Sequence, residues 1–572
     1  MLDLVIRGGT VIDGSGAPAR QADVGVLDGM VSGVGEIHGD ADEELDATGM
    51  LVTPGFIDPH THYDAQLFWD PFASPSNLHG VTTVIGGNCG FTLAPLLPSE
   101  ADYLRRMMAK VEGMPLPALE NGLDWDWRSF GDFLGRLDGQ IGVNAGFLVG
   151  HCALRRVVMG ARAVGEEATP EEIDAMVALL HASLEEGGLG FSTSRAFTHT
   201  DGDGAAVPSR WASEEEVFAL CDAVKDHPGT TLEFILDGCL NGFQDEDVAL
   251  MAEMSRRAQR PANWNVLSID ASAPERSDHQ LNASRRVAEL GGRIVALTMP
   301  TLVGMCLSFR THCALNSMPG WDAILSLPIP ERIAKLSDPE VRRVMNERAR
   351  SKEAGVFAGL ARWGNYRIGD TVSPENAGLS GRTVREIAEE RGTSDFDTLV
   401  DIVINDELRT VLWPGSRGDD LDSWKLRAAT WERDDVLIGG SDAGAHLDRM
   451  CGSPYPTGFL ADCLRGRKLV SVERAVQLMT EKPAGLFGLR DRGHVAPGKR
   501  ADLVVLDPKH VATGEIETAD DLPGNSSRLV AGSSGIQRVF VNGRAIVRDG
   551  VATGERPGTL LRSGRDTETV PI

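Results

Sequence analysis

The sequence lacks three features that would assign it to particular classes of protein. No stretch approaches the roughly 18 consecutive apolar residues of a membrane-spanning helix, because Gly, Asp, Arg and Pro interrupt every hydrophobic segment. The start, MLDLVIRGGTVIDG, has no basic region followed by an apolar run, so we expect no secretion signal and a cytoplasmic protein. The eight cysteines form no CxxC pair, which argues against a disulfide framework and a zinc ribbon.

Basic residues are also scarce. The 572 residues include 56 Lys and Arg against 83 Asp and Glu, a formal net charge of −27. Such a charge repels nucleic acid and anionic membranes, so we expect neither as a partner and a small-molecule substrate instead. The sequence leaves self-association into a homo-oligomer open. A length above roughly 250 residues predicts more than one structural unit.

Two segments at opposite ends of the chain share one character. Residues 1–53 contain short strand-like runs broken by turn signals, and the same texture returns within residues 486–572, in RADLVVLDP and IQRVFVNGRAIVRDG. Neither end alone has enough strands for a stable sheet structure. We therefore predict one small β-sandwich domain built from both chain termini.

Between these ends, apolar strand-like runs alternate with amphipathic helical stretches, which is typical of an α/β fold with a parallel sheet. We predict a (β/α)8 TIM-like barrel over residues 54–485, with helices clearest at 170–187, 213–226 and 471–482. Residues 306–430 are too long for a strand-to-helix connection, and we interpret them as an inserted helical region or a lid over the site. The eight predicted strands are 54–58, 81–86, 141–149, 188–193, 230–236, 263–269, 292–298 and 436–440.

Histidines follow the first predicted strand, and an aspartate follows the last. GFIDPHTHYDAQ places His60 and His62 two positions apart, so in an extended chain both imidazoles point to one side and suit one cation. Two ordinary loop histidines would give the same pattern. GGSDAGAH places Asp442 after the eighth strand, which barrel closure brings beside the first. His446, on the same loop, is a candidate to contact substrate or to orient Asp442.

Several motifs resemble a known family. RGGTVIDG, GFIDPHTH, GGSD and TEKPAGLFGLRDRGHVAPGKRADLVVLD are similar to the amidohydrolase superfamily over nearly the whole chain. VTTVIGGNCGFTLAP resembles its D-aminoacylase (N-acyl-D-amino-acid deacylase) family, where the cysteine of this segment is a zinc ligand. The resemblance implies that Cys89, His60 and His62 are metal ligands and that Asp442 is both ligand and general acid/base. A buried packing thiol is the alternative for Cys89.

The sequence departs from that family at two strand ends. The histidines expected after strands five and six are absent from GTTLEFILDG and PANWNVLSID, where Glu233 and Asn265 are the polar residues available. Glu233 is a candidate ligand or acid/base, with a structural role as the alternative. No lysine follows a predicted strand, which disfavours the carbamate-bridged pair of metals found in many relatives and, with it, a dihydroorotase or hydantoinase.

The remaining ligand set of two imidazoles, a thiolate and a carboxylate suits Zn²⁺ better than Mg²⁺ or Ca²⁺. We expect one zinc ion and leave a second open. Arg195, in FSTSRAFTH after the fourth strand, is a candidate to bind a substrate carboxylate, or else pairs with a structural one. His151, in the family-like LVGHCALR, is a further candidate for substrate binding. Other polar residues near predicted loops are Asp64, His79, His199 and His312.

The resemblance implies a metal-dependent enzyme that hydrolyses the amide bond of an N-acyl-D-amino acid or a related N-acylated small molecule. One alternative is an amidohydrolase acting on a cyclic amide, a carbamate or an acylated secondary metabolite with a single metal. The other is a metal-free binding or scaffold homologue, which the missing histidines favour and the joint presence of His60, His62, Cys89 and Asp442 opposes.

Overall fold

A computed structural model describes residues 1–311 and 313–572, so His312 lies outside the described residues. The chain divides into two compact units: Met1–Val303 with Asp420–Ile572, and Gly304–Asp419. Among the described residues, none of the helices combines the length and apolar character that crossing a bilayer requires.

A nine-stranded sheet draws strands from both ends of the chain. Leu51–Pro54 pairs antiparallel with Leu503–Leu506, with Val52 opposite Val505, and this pairing joins the two sets. Both valines are fully buried, because one face of each strand packs into a shared apolar core. The order is Val551–Ala552, Arg544–Arg548, Ile536–Val541, Leu503–Leu506, Leu51–Pro54, Leu2–Val11, Arg20–Leu27 and Met30–Gly35, with Ala41–Asp46 also beside Leu2–Val11.

Eight parallel strands, here named β1 to β8, lie within the middle of the sequence. β1 to β3 form one parallel sheet, and β4 to β8 form another together with Val149–Gly150, a short continuation of β3. Every strand overlaps a predicted one, so the predicted strand positions are confirmed. The strands are β1 Phe56–Asp58, β2 Val81–Gly86, β3 Asn144–Phe147, β4 Gly190–Ser194, β5 Thr231–Ile235, β6 Ala262–Trp264, β7 Ile294–Thr298 and β8 Val436–Ile438.

The segments that follow β1 and β8 lie side by side. The backbone N–H of His62 donates to the carbonyl of Ala443 at 2.7 Å, and that of Asp442 donates to the carbonyl of His60 at 3.2 Å. Thr61 and Ala443 form a parallel bridge between the same two segments. The polar residues that follow the first and the last parallel strands are therefore neighbours.

The predicted helices form where their caps indicate. Pro170–Glu185 begins after Thr169, whose side chain and that of Glu172 make a capping box, and Glu214–Lys225 begins after Ser213. The predicted helix 471–482 is divided at Thr480 into Val472–Met479 and Glu481–Leu486. Longer helices elsewhere in the larger unit, Met1–Val303 with Asp420–Ile572, are Ala101–Val111, Phe130–Leu137, His151–Met159, Asp245–Ala258, Pro274–Glu289, Leu421–Thr430 and Tyr455–Leu464.

The second unit, Gly304–Asp419, has its own hydrophobic core. Trp321 and Trp363 stack with ring centroids 5.5 Å apart, and both are buried, so these aromatics stabilise this unit from within. Helix Leu421–Thr430 belongs instead to the larger unit. The longer helices of this unit are Ile329–Leu336, Pro339–Ala349, Val384–Arg391 and Asp395–Asn405.

Candidate metal centre

His60 and His62 lie on the segment directly after β1 and are buried. Their ring centroids are 5.3 Å apart, and the backbone bonds to Asp442 and Ala443 fix the segment against the chain after β8. The alternation expected from an HxH pair therefore brings both imidazoles into one cluster.

Cys89 follows β2 and points at the same cluster. Its Sγ lies 3.6 Å from His60 Nε2, and the residue is almost fully buried. Its backbone has a φ of 56°, in the left-handed region that non-glycine residues rarely adopt. Such strain is concentrated at functional sites, and here it accompanies a thiol aimed at an imidazole.

Asp442 follows β8 and meets both histidines. Its Oδ1 lies 3.0 Å from His62 Nε2 and 3.6 Å from His60 Nε2. Its side chain is 24% exposed, whereas those of His60 and His62 are 0% and 1% exposed. Asp442 is therefore the member of this group that a water molecule or a substrate can reach.

Glu112 is a member of the cluster that the sequence reasoning missed. Its Oε2 lies 3.5 Å from His62 Nε2, and its side chain is 4% exposed. Glu112 is the C-cap of helix Ala101–Val111, and Gly113, with a φ of +58°, ends that helix. The carbonyl of Glu112 also accepts a hydrogen bond from the backbone N–H of His446. The sequence offers one signal for Glu112. An acidic residue at the C-terminal end of a helix is unfavourable because of the helix macrodipole, and its presence there indicates another role.

Glu233 lies on β5 and Asn265 directly follows β6, and both side chains lie beside His60. Glu233 Oε2 accepts a 2.7 Å hydrogen bond from the backbone N–H of Cys89, and its Oε1 lies 3.9 Å from His60 Nδ1. Asn265 Nδ2 lies 3.3 Å from His60 Nε2. Glu233 therefore lies beside both Cys89 and His60, and Asn265 lies beside His60.

Burial and mutual charge shift the pKa values of these groups in opposite directions. Burial holds the pKa of His60 at about 3 and raises that of Glu233 to about 8. Burial alone would lower the pKa of His62, but the carboxylates of Glu112 and Asp442 raise it to about 10. Burial would raise the pKa of Asp442, but His62 outweighs it and keeps that pKa below its usual range. The opposite shifts of His62 and Asp442 have one cause, the 3.0 Å contact between the two side chains.

The residues fit a zinc ion. One donor atom from each of His60, His62 and Cys89 lies within 4.8 Å of the others, and the same holds for His62, Glu112 and Asp442. Within the described residues, Nδ1 of His60 and Nδ1 of His62 are buried without a hydrogen bond, and His62 Nε2 faces the carboxylates of Asp442 and Glu112. Buried polar atoms without partners are rare unless a ligand satisfies them. Imidazole, thiolate and carboxylate donors are those that Zn²⁺ takes in proteins.

The other predicted residues differ in their distance from this cluster. His446 Nε2 lies 3.8 Å from Asp442 Oδ2, at its edge. Arg195 donates to the carbonyl of Ala212 at 3.3 Å. Both ring nitrogens of His151 are occupied, by Thr193 Oγ1 at 2.9 Å and Glu216 Oε1 at 2.8 Å. The structure brings neither Arg195 nor His151 into contact with the histidine pair.

The lesser candidates form hydrogen bonds with residues other than the proposed ligands. His199 Nδ1 lies 2.7 Å from Ser194 Oγ, and its ring packs on Phe91. His79 contacts Thr457 and the carbonyl of Ala531. Asp64 accepts a hydrogen bond from the backbone N–H of Gly87 at 3.1 Å, which ties the segment after β1 to the segment after β2.

Comparisons with known proteins place the chain in a family. The chain is 28% identical to a D-aminoacylase of Alcaligenes xylosoxydans xylosoxydans, over 98% of this chain and 97% of that protein. It is 29% identical to an N-acyl-D-aspartate deacylase of the same organism, over 98% and 95%. The solved structure of an N-acyl-D-glutamate deacylase from Bordetella bronchiseptica, complexed with zinc and a phosphonate inhibitor, matches with a TM-score of 0.64 and 26% identity, over 98% and 100%. The model of the amidohydrolase family matches residues 43–547. The chain therefore belongs to the amidohydrolase family.

Proposed function

We propose that this chain is a metal-dependent amidohydrolase that cleaves the amide bond of an N-acyl-D-amino acid or a related N-acylated small molecule. The observation that carries the proposal is the convergence of Cys89, His60, His62 and Asp442, from the ends of β2, β1 and β8. We propose one Zn²⁺ held by these four residues.

The proposal includes a closed (β/α)8 barrel and a sandwich built from the terminal strands. It is supported by the order of the eight parallel strands and by the contact between the segments after β1 and β8. In such barrels the chemistry lies at the carboxyl ends of the strands, where all four proposed ligands lie.

When bound, Zn²⁺ would polarise the substrate carbonyl and lower the pKa of water. The protein's own part is proton transfer and orientation. Asp442 is partly exposed and lies against both histidines, where its carboxylate can accept a proton from water and return it to the leaving amine. His446, 3.8 Å from Asp442, is placed to contact substrate beside that carboxylate.

The substrate class rests on likeness to proteins that act on N-acylated D-amino acids. The similar proteins are a D-aminoacylase and an N-acyl-D-aspartate deacylase, each aligned over nearly the whole chain. Their shared feature is an acyl group on the nitrogen of a D-amino acid, and we propose the same feature for this substrate.

Metal analysis and a substrate panel test the proposal together. We expect the purified protein to contain about one zinc per chain, and to release carboxylate and free amine from N-acetyl-D-amino acids but not from the L-enantiomers. Hydrolysis of cyclic amides or carbamates in preference to the acylated amino acids would overturn the substrate class. A protein that binds no zinc and hydrolyses none of these would overturn the proposed function.

A further inference from the structure

On the side of the site formed by β5 and β6, Asn265 Nδ2 lies 3.3 Å from His60 Nε2, whereas Glu233 lies behind the same imidazole ring. His60 Nε2 lies 3.6 Å from both Cys89 Sγ and Asp442 Oδ1, so Nε2 is the nitrogen that faces the proposed ion. Glu233 Oε1 lies on the other side of the ring, 3.9 Å from Nδ1, and Glu233 Oε2 is bonded to the backbone of Cys89. A carboxylate behind a ligating imidazole orients it. Glu233 is therefore a positioning residue.

A different carboxylate lies on the metal-facing side of His62. Glu112 Oε2 and Asp442 Oδ1 lie 3.5 and 3.0 Å from the same atom, His62 Nε2. Donor atoms about 2.0–2.2 Å from one zinc ion are separated from each other by about 2.9–3.5 Å. Both distances to His62 Nε2 lie in this range, and donor atoms of all three residues lie within 4.8 Å of one another.

The charges in this region point the same way. Elsewhere, the buried carboxylates of Glu100 and Glu216 each meet an arginine, Arg156 and Arg155 respectively. Within the described residues, the ion-pair partners of Glu112 and Asp442 are histidines alone. Burying carboxylates without enough positive charge is costly, and a divalent cation would supply that charge.

We propose that Glu112 is a further protein ligand of the zinc ion, beside His62 and Asp442 on the β1 and β8 side of the site. This inference rests on the proposed function, because it assumes the ion bound by the other four residues. It also accounts for an acid at the end of helix Ala101–Val111, where Gly113 fixes the direction in which the chain leaves.

Metal affinity and the absorption spectrum of the cobalt-substituted protein test the role of Glu112. The variants are Glu112→Gln and, as a matched control, Glu100→Gln, which removes a buried glutamate just before the other end of the same helix. Substitution of an outer-shell partner weakens metal binding about 10–100-fold. For a ligand, we expect Glu112→Gln to weaken zinc binding more than about 100-fold. The Co²⁺ d–d bands should also intensify, because the coordination number falls.

Glu100→Gln should keep the affinity and the spectrum of the unsubstituted protein, whatever its effect on stability. An unchanged Co²⁺ spectrum in Glu112→Gln, with zinc affinity reduced less than about 100-fold, would overturn the inference and leave the proposed function intact. Absence of zinc binding in the unsubstituted protein would overturn the proposed function itself. If Glu112→Gln does not fold, Glu112→Asp tests the same point, because it keeps the charge beside His62 but withdraws the donor by one methylene.

Discussion

Two buried groups of histidine and carboxylate side chains differ in how their polar atoms are satisfied. In the first, His151 bonds Thr193 and Glu216, and Arg155 pairs with the same glutamate. In the second, His60 and His62 face Asp442 and Glu112, and Nδ1 of each histidine has no hydrogen bond within the described residues. The polar atoms of the first group are satisfied within the protein, whereas the second is the group that we propose to bind a cation.

The comparison shows that burial of a histidine does not identify a functional site. The surroundings of His151 resemble the family, and both of its ring nitrogens have partners within the protein, so its role in substrate binding stays a prediction. The distinguishing feature is the unsatisfied atom, because a buried donor or acceptor without a partner costs about 1–3 kcal/mol. The two groups should therefore respond differently to substitution and to removal of metal.

The largest effect is expected from replacing His60 and His62 together by Ala. Because both are proposed ligands at strand ends, the double variant should lose its metal and its turnover while its circular dichroism spectrum stays unchanged. A double variant of the exposed residues His38 and His510 is the control and should keep both properties. Retained activity in the His60 and His62 variant would remove the basis for the metal centre.

A smaller loss is expected from Asp442→Asn, which keeps the size of the side chain but removes its basic carboxylate. We expect kcat to fall about 10²–10⁴-fold, the range for loss of a positioned acid/base, with part of the metal retained. Glu233→Gln, measured at saturating zinc, should keep most of kcat because Glu233 acts through His60. Near-normal kcat in Asp442→Asn together with a large loss of kcat in Glu233→Gln would indicate that the general base is Glu233, on β5.

In the first group, Glu216→Gln should lower the free energy of unfolding by about 3–5 kcal/mol, because Arg155 would be left buried without its partner. Urea denaturation measures the loss, and zinc content per folded chain should not change. Burial would raise the pKa of Glu216, but His151 and Arg155 hold it below the usual value of 4.5.

This pKa shift gives the pH dependence a definite sign. The lowered pKa stabilises the fold above pH 4.5, and that stabilisation is lost as the pH falls through the folded value. The unsubstituted protein should therefore lose stability more steeply below pH 4.5 than Glu216→Gln does. If the free energy of unfolding falls equally steeply with pH in the two proteins below pH 4.5, this account of the first group is wrong.

The smallest effect is expected from removing metal with a chelator. A ligand at 100 times its Kd stabilises the folded state by about 2.7 kcal/mol, so the chelated protein should unfold at a lower temperature by a corresponding amount. Glu216→Gln should show the same metal-dependent difference, since the two groups share no residue. The His60 and His62 variant should show none, and a difference that persists there would place the stabilising metal elsewhere.

The ends of the parallel strands could be predicted from the sequence, and with them much of the candidate site. His60, His62, Cys89 and Asp442 each lie within a few residues of a buried apolar run, so local pattern and parallel strand order are sufficient to group them. That both chain ends contribute strands to one β structure could be predicted for a similar reason, because alternating apolar and polar runs occur at each end of the chain.

Glu112 could not be found in this way. It follows a helix rather than a strand, and its contact with His62 depends on where that helix ends in space. Periodicity locates a helix to within a few residues but does not give the direction of its last turn. Arg195 was selected for following β4, and its placement in substrate binding stays a prediction.

The pairing of Leu51–Pro54 with Leu503–Leu506 has a consequence for synthesis on the ribosome. The two strands are separated by roughly 450 residues, which takes about 20–90 s to translate at about 5–20 residues per second. During that interval the strand Leu51–Pro54 has an unpaired edge, and such edges recruit strands from other chains. The nascent chain is therefore exposed to aggregation until its last eighth emerges, and chaperone binding during this period should raise the yield of folded protein.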